Sequence, residues 1–414
     1  MEATAGAGHP RGGEVERVVV VGASAGGLGT AEALRRSGYQ GVITLIGDEP
    51  HLPYDRPPLS KQLLKGAWQP DRLQLRSTAD IDALHLDPLL GVAAAGLDRD
   101  GREVVLADGA RVPYDALVVA TGVRPRRLPG CDGVSGVHVL RTLDDALVLK
   151  DRLGPGRRLV IVGGGFVGAE VAATARGLGA EVTLLEAGPV PMGPAVGDEV
   201  GRFLAAVHHE QGARVRTGTA VSEIRRSETG VTGVRLADGT DIAADDVLVA
   251  IGSLPNTEWL AGSGLTVDDG LVCDEFCAAA PGVYGVGDVA RWHNPLFGTA
   301  MRIEHRTNAA EQAMAVARNL LGPDPGRPFA PVPYFWSDQY AVKTQAYGYL
   351  RGHDEAVVVE HDAAGARLLV AYRRDDRLTG VLSAGVPPKI LRAWRALIAA
   401  RTPWADALDT TPVA

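Results

Sequence analysis

Two glycine-rich turns and the acids that follow them are the residues of this chain best suited to chemistry. VVVVGASAGG at 18–27 and LVIVGGGFVG at 159–168 each run an apolar strand into glycines, with Gly22 and Gly163 lying 141 residues apart. Such a turn captures anions. Its first glycine permits a tight bend, its second lets backbone N–H groups reach a pyrophosphate, and its third lets the next helix pack on its strand. The helix N-terminus adds roughly half a positive charge. The second copy carries the full G-x-G-x-x-G spacing at Gly163, Gly165 and Gly168, with Phe166 and Val167 between. The first copy offers Gly22, Ser24, Ala25, Gly26 and Gly27, Ser24 standing where the other has its middle glycine. A further apolar strand follows each turn and ends at an acid: Glu186 in the second copy, Gly47 and then Asp48 in the first. A carboxylate there accepts the hydroxyls of an adenosine ribose and repels a 2′-phosphate. Glu186, with Ala187 and Gly188 after it and no arginine beside it, therefore points to NADH over NADPH.

The elements that must position these groups recur in one order. Strand, glycine turn, Ala/Leu-rich helix, strand and acid are followed by closing strands ending in Gly122 (ALVVATG, 116–122) and Gly252 (DVLVAIG, 246–252, with Ile251). That repetition is the mark of a duplicated doubly wound α/β unit, and it predicts a chain that binds two dinucleotides. The first unit spans 1–124, with 1–16 a small polar tail lacking the apolar stretch of a signal peptide. The second spans 125–253. PGVYGVGD at 281–288 is another apolar strand ending in Gly287 and Asp288, so the first unit resumes over 254–326. Beyond the Pro-rich linker at 322–328, a C-terminal α+β domain over 327–414 is expected to have strands at 334–336, 356–360 and 368–372 and a helix at 389–400. It suits dimerisation or partner docking better than nucleotide binding.

Composition excludes several classes. A chain of 414 residues, 46% hydrophobic, supports two or three cores. Its net charge of −8 and lack of basic runs argue against nucleic-acid binding. No apolar run reaches the roughly 18 residues of a spanning helix, so the expectation is a soluble cytoplasmic protein. Cys131, Cys273 and Cys277 have neither C-x-x-C nor metal spacing and read as buried apolar residues. The stretch after the first unit's second strand, where disulfide reductases carry a redox cysteine pair, is YDRPPLSK (54–61). Thiol redox chemistry, an iron–sulfur cluster and a metal site are not expected.

PYDRPPLSK (53–61), RIEH (302–305) with TNA (307–309), and YFWSDQY (334–340) make the chain resemble, along nearly its whole length, the FAD-containing NADH:ferredoxin reductases of bacterial aromatic dioxygenases and haem monooxygenases. Rubredoxin reductases and the apoptosis-inducing flavoproteins are more distantly similar. The resemblance implies a glutathione-reductase-like pair of Rossmann domains, the first for FAD and the second for NADH, followed by the interface domain. It places Asp48 at the FAD adenosine ribose and Asp288 on the ribityl chain. Ala94, Ala120, Thr121, Gly122, Gly287, Met301, Ile303 and Trp336 are further implied contacts of FAD, and Phe166, Val167, Ile251 and Gly252 of NADH. Lys61 is implied to lie near flavin N5 and to pair with Glu170, the two catalytic candidates. As sequence alone, Glu170 is also an acid favoured by the dipole of its own helix. Arg56 and Arg141 either meet the FAD phosphates or stand as surface arginines. Trp336 packs on the flavin or fills a core, and Glu304 and His305 look like catalytic polar residues but are better read as shaping the flavin pocket. Ser24 and Arg306, the latter where many relatives carry tryptophan, depart from the family pattern.

The expected activity is hydride transfer from NADH to FAD and single-electron delivery to a small iron–sulfur ferredoxin that feeds an oxygenase. Arg302, Arg306 and Lys343 are the expected face for an acidic ferredoxin, and the protein is expected to be a monomer or homodimer. Two other readings stand beside this one: an NADH oxidase, peroxidase or rubredoxin reductase, and an NADH-sensing flavoprotein of the apoptosis-inducing type.

Overall fold

A computed structural model describes residues 15–322, 326–362 and 366–409, so positions 1–14 of the tail expected at 1–16 and part of the linker at 322–328 lie outside the described residues, while Val15, counted with that tail, is buried. The chain divides into two units. In the first, which continues through Gln74–Arg124 and Leu254–Pro333, the valine run Arg17–Val21 forms a strand buried from its second residue on. A strand paired along both edges and covered on both faces calls for such a continuous β-branched run. It pairs in parallel with Val42–Gly47 on one side and Ala116–Val119 on the other. Val283–Gly285 and Asp87–Leu90 extend this into a six-stranded sheet that ends in Ala278–Ala280. Helix Ala25–Arg36 crosses between the first two strands with Arg35 and Arg36 in its last turn, where cations offset the dipole. It packs against helix Arg306–Leu321. Asp115 secures the sheet's lower end by accepting N–H bonds from Glu16 (3.0 Å) and Arg17 (2.8 Å).

The second unit comprises Arg56–Leu73, Pro125–Ser253 and the described residues from Tyr334 on. Its parallel sheet repeats the plan: Arg158–Val162 lies between Glu181–Leu185 and Asp246–Val249, flanked by Arg214–Arg216 and Val137–His138. Asp245 takes the place of Asp115, accepting from the Arg158 backbone at 2.9 Å. Helix Phe166–Gly177 packs on Glu181–Leu185.

The C-terminal module is a five-stranded antiparallel sheet in the order Tyr334–Gln339, Val342–Gly348, Arg377–Ala384, Arg367–Arg374, Glu355–Asp362. Helices Pro388–Ala399 and Trp404–Asp409 follow. The three expected strands are present in longer form. Val342–Gly348 and Arg377–Ala384 were not expected, because Lys343, Gln345, Gly348, Gly380 and Ser383 blur the apolar pattern that marks a strand. Yet Thr344, Ala346 and Gly348 alternate inward, as a half-buried strand should. Leu368, Val370, Tyr372 and Leu382 of this sheet share a core with Val196, Val200 and Leu204 of the nucleotide domain. Each such side chain contributes on the order of 1.5–3 kcal/mol by burial.

Candidate functional site

The first unit's turn is built around Gly22, whose φ of +118° suits glycine and whose Cβ position lies 2.1 Å from the Ala120 carbonyl oxygen. Gly27 abuts the Gly22 carbonyl, which is the close helix-on-strand packing its motif position requires. Helix Ala25–Arg36 starts at Ser24 with no side-chain cap and no acid in its first turn. Its leading N–H groups therefore suit a phosphate. Ala120, Thr121 and Gly122 close the turn. The Thr121 hydroxyl donates to the Asn256 carbonyl (2.7 Å), and the Asn256 amide donates back to the Thr121 carbonyl (2.9 Å). Asp48 stands exposed just past the strand end. The Gly287 N–H donates to Gln312 Oε1 at 2.8 Å, which fixes the turn carrying half-buried Asp288. Met301 and Ile303 are buried and Ala94 is half-buried. Asn256 and Gln312 went unrecognised in the sequence. A polar residue among the alanines and Val316 on the buried face of helix Arg306–Leu321, one turn after Asn308, was the one signal for Gln312.

The second unit's turn repeats this geometry at Gly163 (φ +107°), Gly165 and Gly168. A Cβ on Gly165 would meet nothing within 4 Å, which leaves open space above the turn for a ligand. Glu186 is held in place by two backbone donors, Gly164 N–H to Oε2 (2.8 Å) and Gly188 N–H to Oε1 (2.7 Å). Val167 is 41% exposed and Ile251 36%, an unusual openness for large apolar side chains. Phe166 meets Phe335 edge-on at 5.0 Å, and Gly252 has a φ of +97°. Arg216 lies on the neighbouring strand in register with Leu185, and its carbonyl accepts the Glu186 N–H at 2.8 Å. Its charge helps the Thr240 hydrogen bonds hold the Asp238 carboxyl below its ordinary range.

Lys61 and Glu170 meet within the second unit. Residues 59–63 form one π-helical turn, with the Leu63 N–H reaching the Pro58 carbonyl at 3.1 Å. Such widened turns recur at functional positions, and this one directs Lys61 inward. Lys61 Nζ lies 2.6 Å from Glu170 Oε2, with both residues under 10% exposed. The Ser60 hydroxyl donates to the same oxygen (2.6 Å), and the Ser337 hydroxyl donates to Oε1 (2.9 Å). The Thr174 hydroxyl, one turn along the helix from Glu170, anchors the Ser60 carbonyl at 2.8 Å. Two hydroxyl donors and a buried ammonium thus define this carboxylate's surroundings, a cost in desolvation that only tight pairing offsets. Glu170 is the fifth residue of its helix and not in the first turn. Lys61, more than the helix dipole, is its partner.

Arg56 Nη1 donates to the Arg141 carbonyl at 2.6 Å, and both arginines are half-buried. Trp336 is half-buried and stacks on Tyr334 with ring centroids 5.9 Å apart. His305 caps the start of helix Arg306–Leu321. Two of the expected docking cations are engaged internally. Arg302 bonds to Glu304 (2.6 Å), Asp269 (3.2 Å) and the Asp288 carbonyl (3.2 Å), while Arg306 pairs with Asp55 at 2.6 Å. Lys343 is exposed. All three cysteines are buried; burial pushes the Cys273 thiol well up and the Cys277 thiol up to about 12, far from a reactive thiolate. Among the described residues no His/Cys/Asp/Glu group could hold a metal ion, and no helix is long and apolar enough to cross a membrane.

Comparison with known proteins agrees with this geometry. Residues 16–313 match the family described as pyridine nucleotide-disulphide oxidoreductase, and residues 334–412 match a reductase C-terminal domain. The chain is 38% identical to putidaredoxin reductase of Pseudomonas putida, covering 90% of this chain and 89% of that one. It is 39% identical to the ferredoxin–NAD(+) reductase subunit of the benzene 1,2-dioxygenase system of the same organism, covering 89% of each. The solved covalent putidaredoxin reductase–putidaredoxin complex superposes with a TM-score of 0.89 at 37% identity over 94% of both chains.

Proposed function

Because the chain belongs to the pyridine nucleotide-disulphide oxidoreductases and ends in a reductase C-terminal domain, we propose that it oxidises NADH through bound FAD and passes electrons singly to a small iron–sulfur ferredoxin serving an oxygenase. The observation that carries this reading is the doubled nucleotide cradle: two uncapped glycine turns, each closed by its own parallel sheet, in one chain. When bound, FAD supplies the chemistry itself, accepting hydride from NADH and releasing electrons one at a time. The protein's part is to bind, orient and polarise.

Gly22, Ser24, Ala25, Gly26 and Gly27 would hold the FAD pyrophosphate, Asp48 its ribose and Asp288 its ribityl chain. Gly163, Gly165 and Gly168 would hold the NADH pyrophosphate. Glu186 would bind the adenosine ribose hydroxyls, pre-oriented by the Gly164 and Gly188 N–H groups. Val167 and Ile251 would cover the nicotinamide side of the coenzyme. Lys61, held by Glu170, would place a fixed cation toward the flavin, where it favours the negative charge that builds up on reduction. The raised thiols of Cys273 and Cys277 weigh against a peroxidase acting through sulfur. NADH supply points to action in the cytoplasm.

The test is anaerobic stopped-flow spectroscopy on purified protein. NADH is expected to bleach the flavin within the turnover time, and a [2Fe–2S] ferredoxin to restore the colour. Reoxidation as fast by O2 as by ferredoxin overturns the reading in favour of an oxidase. A long-lived charge-transfer band with slow reoxidation by either overturns it in favour of a sensor.

A further inference from the structure

Behind Ser337 lies a run of buried polar groups that the reaction does not use directly. Ser337 Oγ accepts from Gln339 Nε2 at 3.3 Å. Gln339 Oε1 lies 3.0 Å from His208 Nε2, and His208 Nδ1 lies 3.0 Å from the Tyr340 hydroxyl. His208 and Gln339 are wholly buried and Ser337 nearly so. The donor directions follow from the chemistry of each group. An amide oxygen only accepts, so His208 Nε2 carries the hydrogen; its Nδ1 is then bare and accepts from Tyr340. Gln339 donates to Ser337, and Ser337 in turn donates to Glu170 Oε1. Every bond from Tyr340 inward therefore points its hydrogen toward Glu170. Burial pushes His208 down to about 4, which keeps the ring neutral and the directions unmixed.

The backbone supports the same arrangement. Tyr340 has a φ of +56°, an unfavourable conformation for a bulky residue, in the two-residue turn joining Tyr334–Gln339 to Val342–Gly348. That conformation sets its ring edge-on to His208 at 5.3 Å, with the hydroxyl on Nδ1. An apolar trio would fill this volume without any such demand. The amide in the middle also excludes a proton path, because passing a proton onward would require its imidic tautomer. The chain orients; it does not conduct.

We infer that Gln339 and His208 are positioning residues that lock the Ser337 hydroxyl onto Glu170 and so fix where Lys61 holds its charge. The inference rests on the proposed place of Lys61 toward the flavin. Without the Ser337 bond, Glu170 Oε1 loses its donor, the carboxylate can turn, and the ammonium bound to Oε2 turns with it.

The test uses the holoenzyme and two readouts besides turnover: the flavin midpoint potential, and the tautomer of His208 by ¹⁵N NMR, its signals assigned by their loss in His208→Gln. Lys61→Met is the reference and is expected to lower the potential. Gln339→Met keeps the volume and removes both bonds. It is expected to lower the potential by less than Lys61→Met and to release His208 from the pure Nε2–H form. Ser337→Ala is expected to lower the potential likewise, and Ser337→Thr, which keeps the hydroxyl, to restore it; this pair carries the test if Gln339→Met folds poorly. Wild-type potentials in Gln339→Met and Ser337→Ala, beside a shifted Lys61→Met, overturn the inference and leave the place of Lys61 standing. An unshifted Lys61→Met overturns that place, and the inference with it.

Discussion

The two glycine turns solve one problem with side chains exchanged. In the first unit Ala23 stands at the second position of the turn and faces Gly47 at the strand end, where a Cβ on Gly47 would come within 2.6 Å of the Ala23 Cβ. In the second unit Gly164 takes the place of Ala23, and Glu186 the place of Gly47, with the carboxylate 3.0 Å from where a Cβ on Gly164 would be. Bulk on the turn excludes an acid at the strand end; a bare turn admits one and bonds it. The first unit's acid is displaced one residue, to exposed Asp48. The two copies of the fold thus differ at the turn by one reciprocal exchange of volume. A second difference lies at the opposite end of the same sheets. The closing strand starts with apolar Ala116 in one unit and with Asp246 in the other. Asp246 is 1% exposed and bonded by His138 (2.9 Å), Arg152 (2.7 Å) and Arg157 (2.5 Å).

The largest effect expected from breaking this comparison is loss of one cofactor at a time. Gly22→Asp forces a charged side chain into backbone contact and opposite a phosphate, so purified protein should be colourless. Gly163→Asp should remain yellow yet no longer be bleached by NADH. If both variants lose the same cofactor, the assignment of the two turns is wrong.

Coenzyme choice comes next. The native protein should favour NADH by about tenfold or more in kcat/KM, equivalent to about 1.4 kcal/mol, and Glu186→Arg should narrow or invert that ratio. Gly164→Ala, by crowding the Glu186 carboxylate, should raise KM for NADH, whereas Ala23→Gly should leave flavin retention intact. Equal use of NADPH by the native protein would remove Glu186 from the ribose.

Asp246→Ala should cost about 2–3 kcal/mol, below the usual range for a broken buried pair because Arg152 and Arg157 reach solvent. Urea unfolding at neutral pH measures it. Burial raises the Asp246 carboxyl, but the bonds from His138, Arg152 and Arg157 outweigh that and hold it below its ordinary value. Its stabilisation should accordingly be complete above about pH 3.9, the unfolded value, and fade as pH falls through the lower folded value. The difference between native protein and Asp246→Ala should shrink in acid; a constant difference from pH 7 to 3 contradicts this account.

The smallest effect concerns surface charge. Arg306→Glu opposes Asp55 and should cost no more than about 1 kcal/mol. Lys343→Glu should slow ferredoxin-linked cytochrome c reduction a few-fold at low salt and lose that effect at high salt, where screening shortens to about 3 Å at 1 M. Ferricyanide reduction should be indifferent to both, and a drop there would point to damage at the flavin.

Local pattern carried the plan of the molecule. Period, glycine spacing and the repeated order of elements identified both parallel sheets, both turns and the place of Glu186 at the end of its strand, because each depends on residues adjacent in sequence or on one strand–turn–helix unit. The pairing of Lys61 with Glu170 was legible only through resemblance, since 109 residues separate them and no period links a π-helical turn to a distant helix face. The pairing of Arg302 with Asp269 and of Arg306 with Asp55, the central strands of the C-terminal sheet and the run from Tyr340 through His208 to Ser337 could not be read from the chain alone. These are contacts between side chains on elements remote in sequence, and packing decides whether a charge meets solvent, a partner or an opposite charge. The sequence by itself determined two glycine turns, the parallel strands on either side of each and the acid that ends the second strand of the second unit, because these follow from residues close together in the chain; tertiary structure alone decided which charges stay open to a partner and which are held in place.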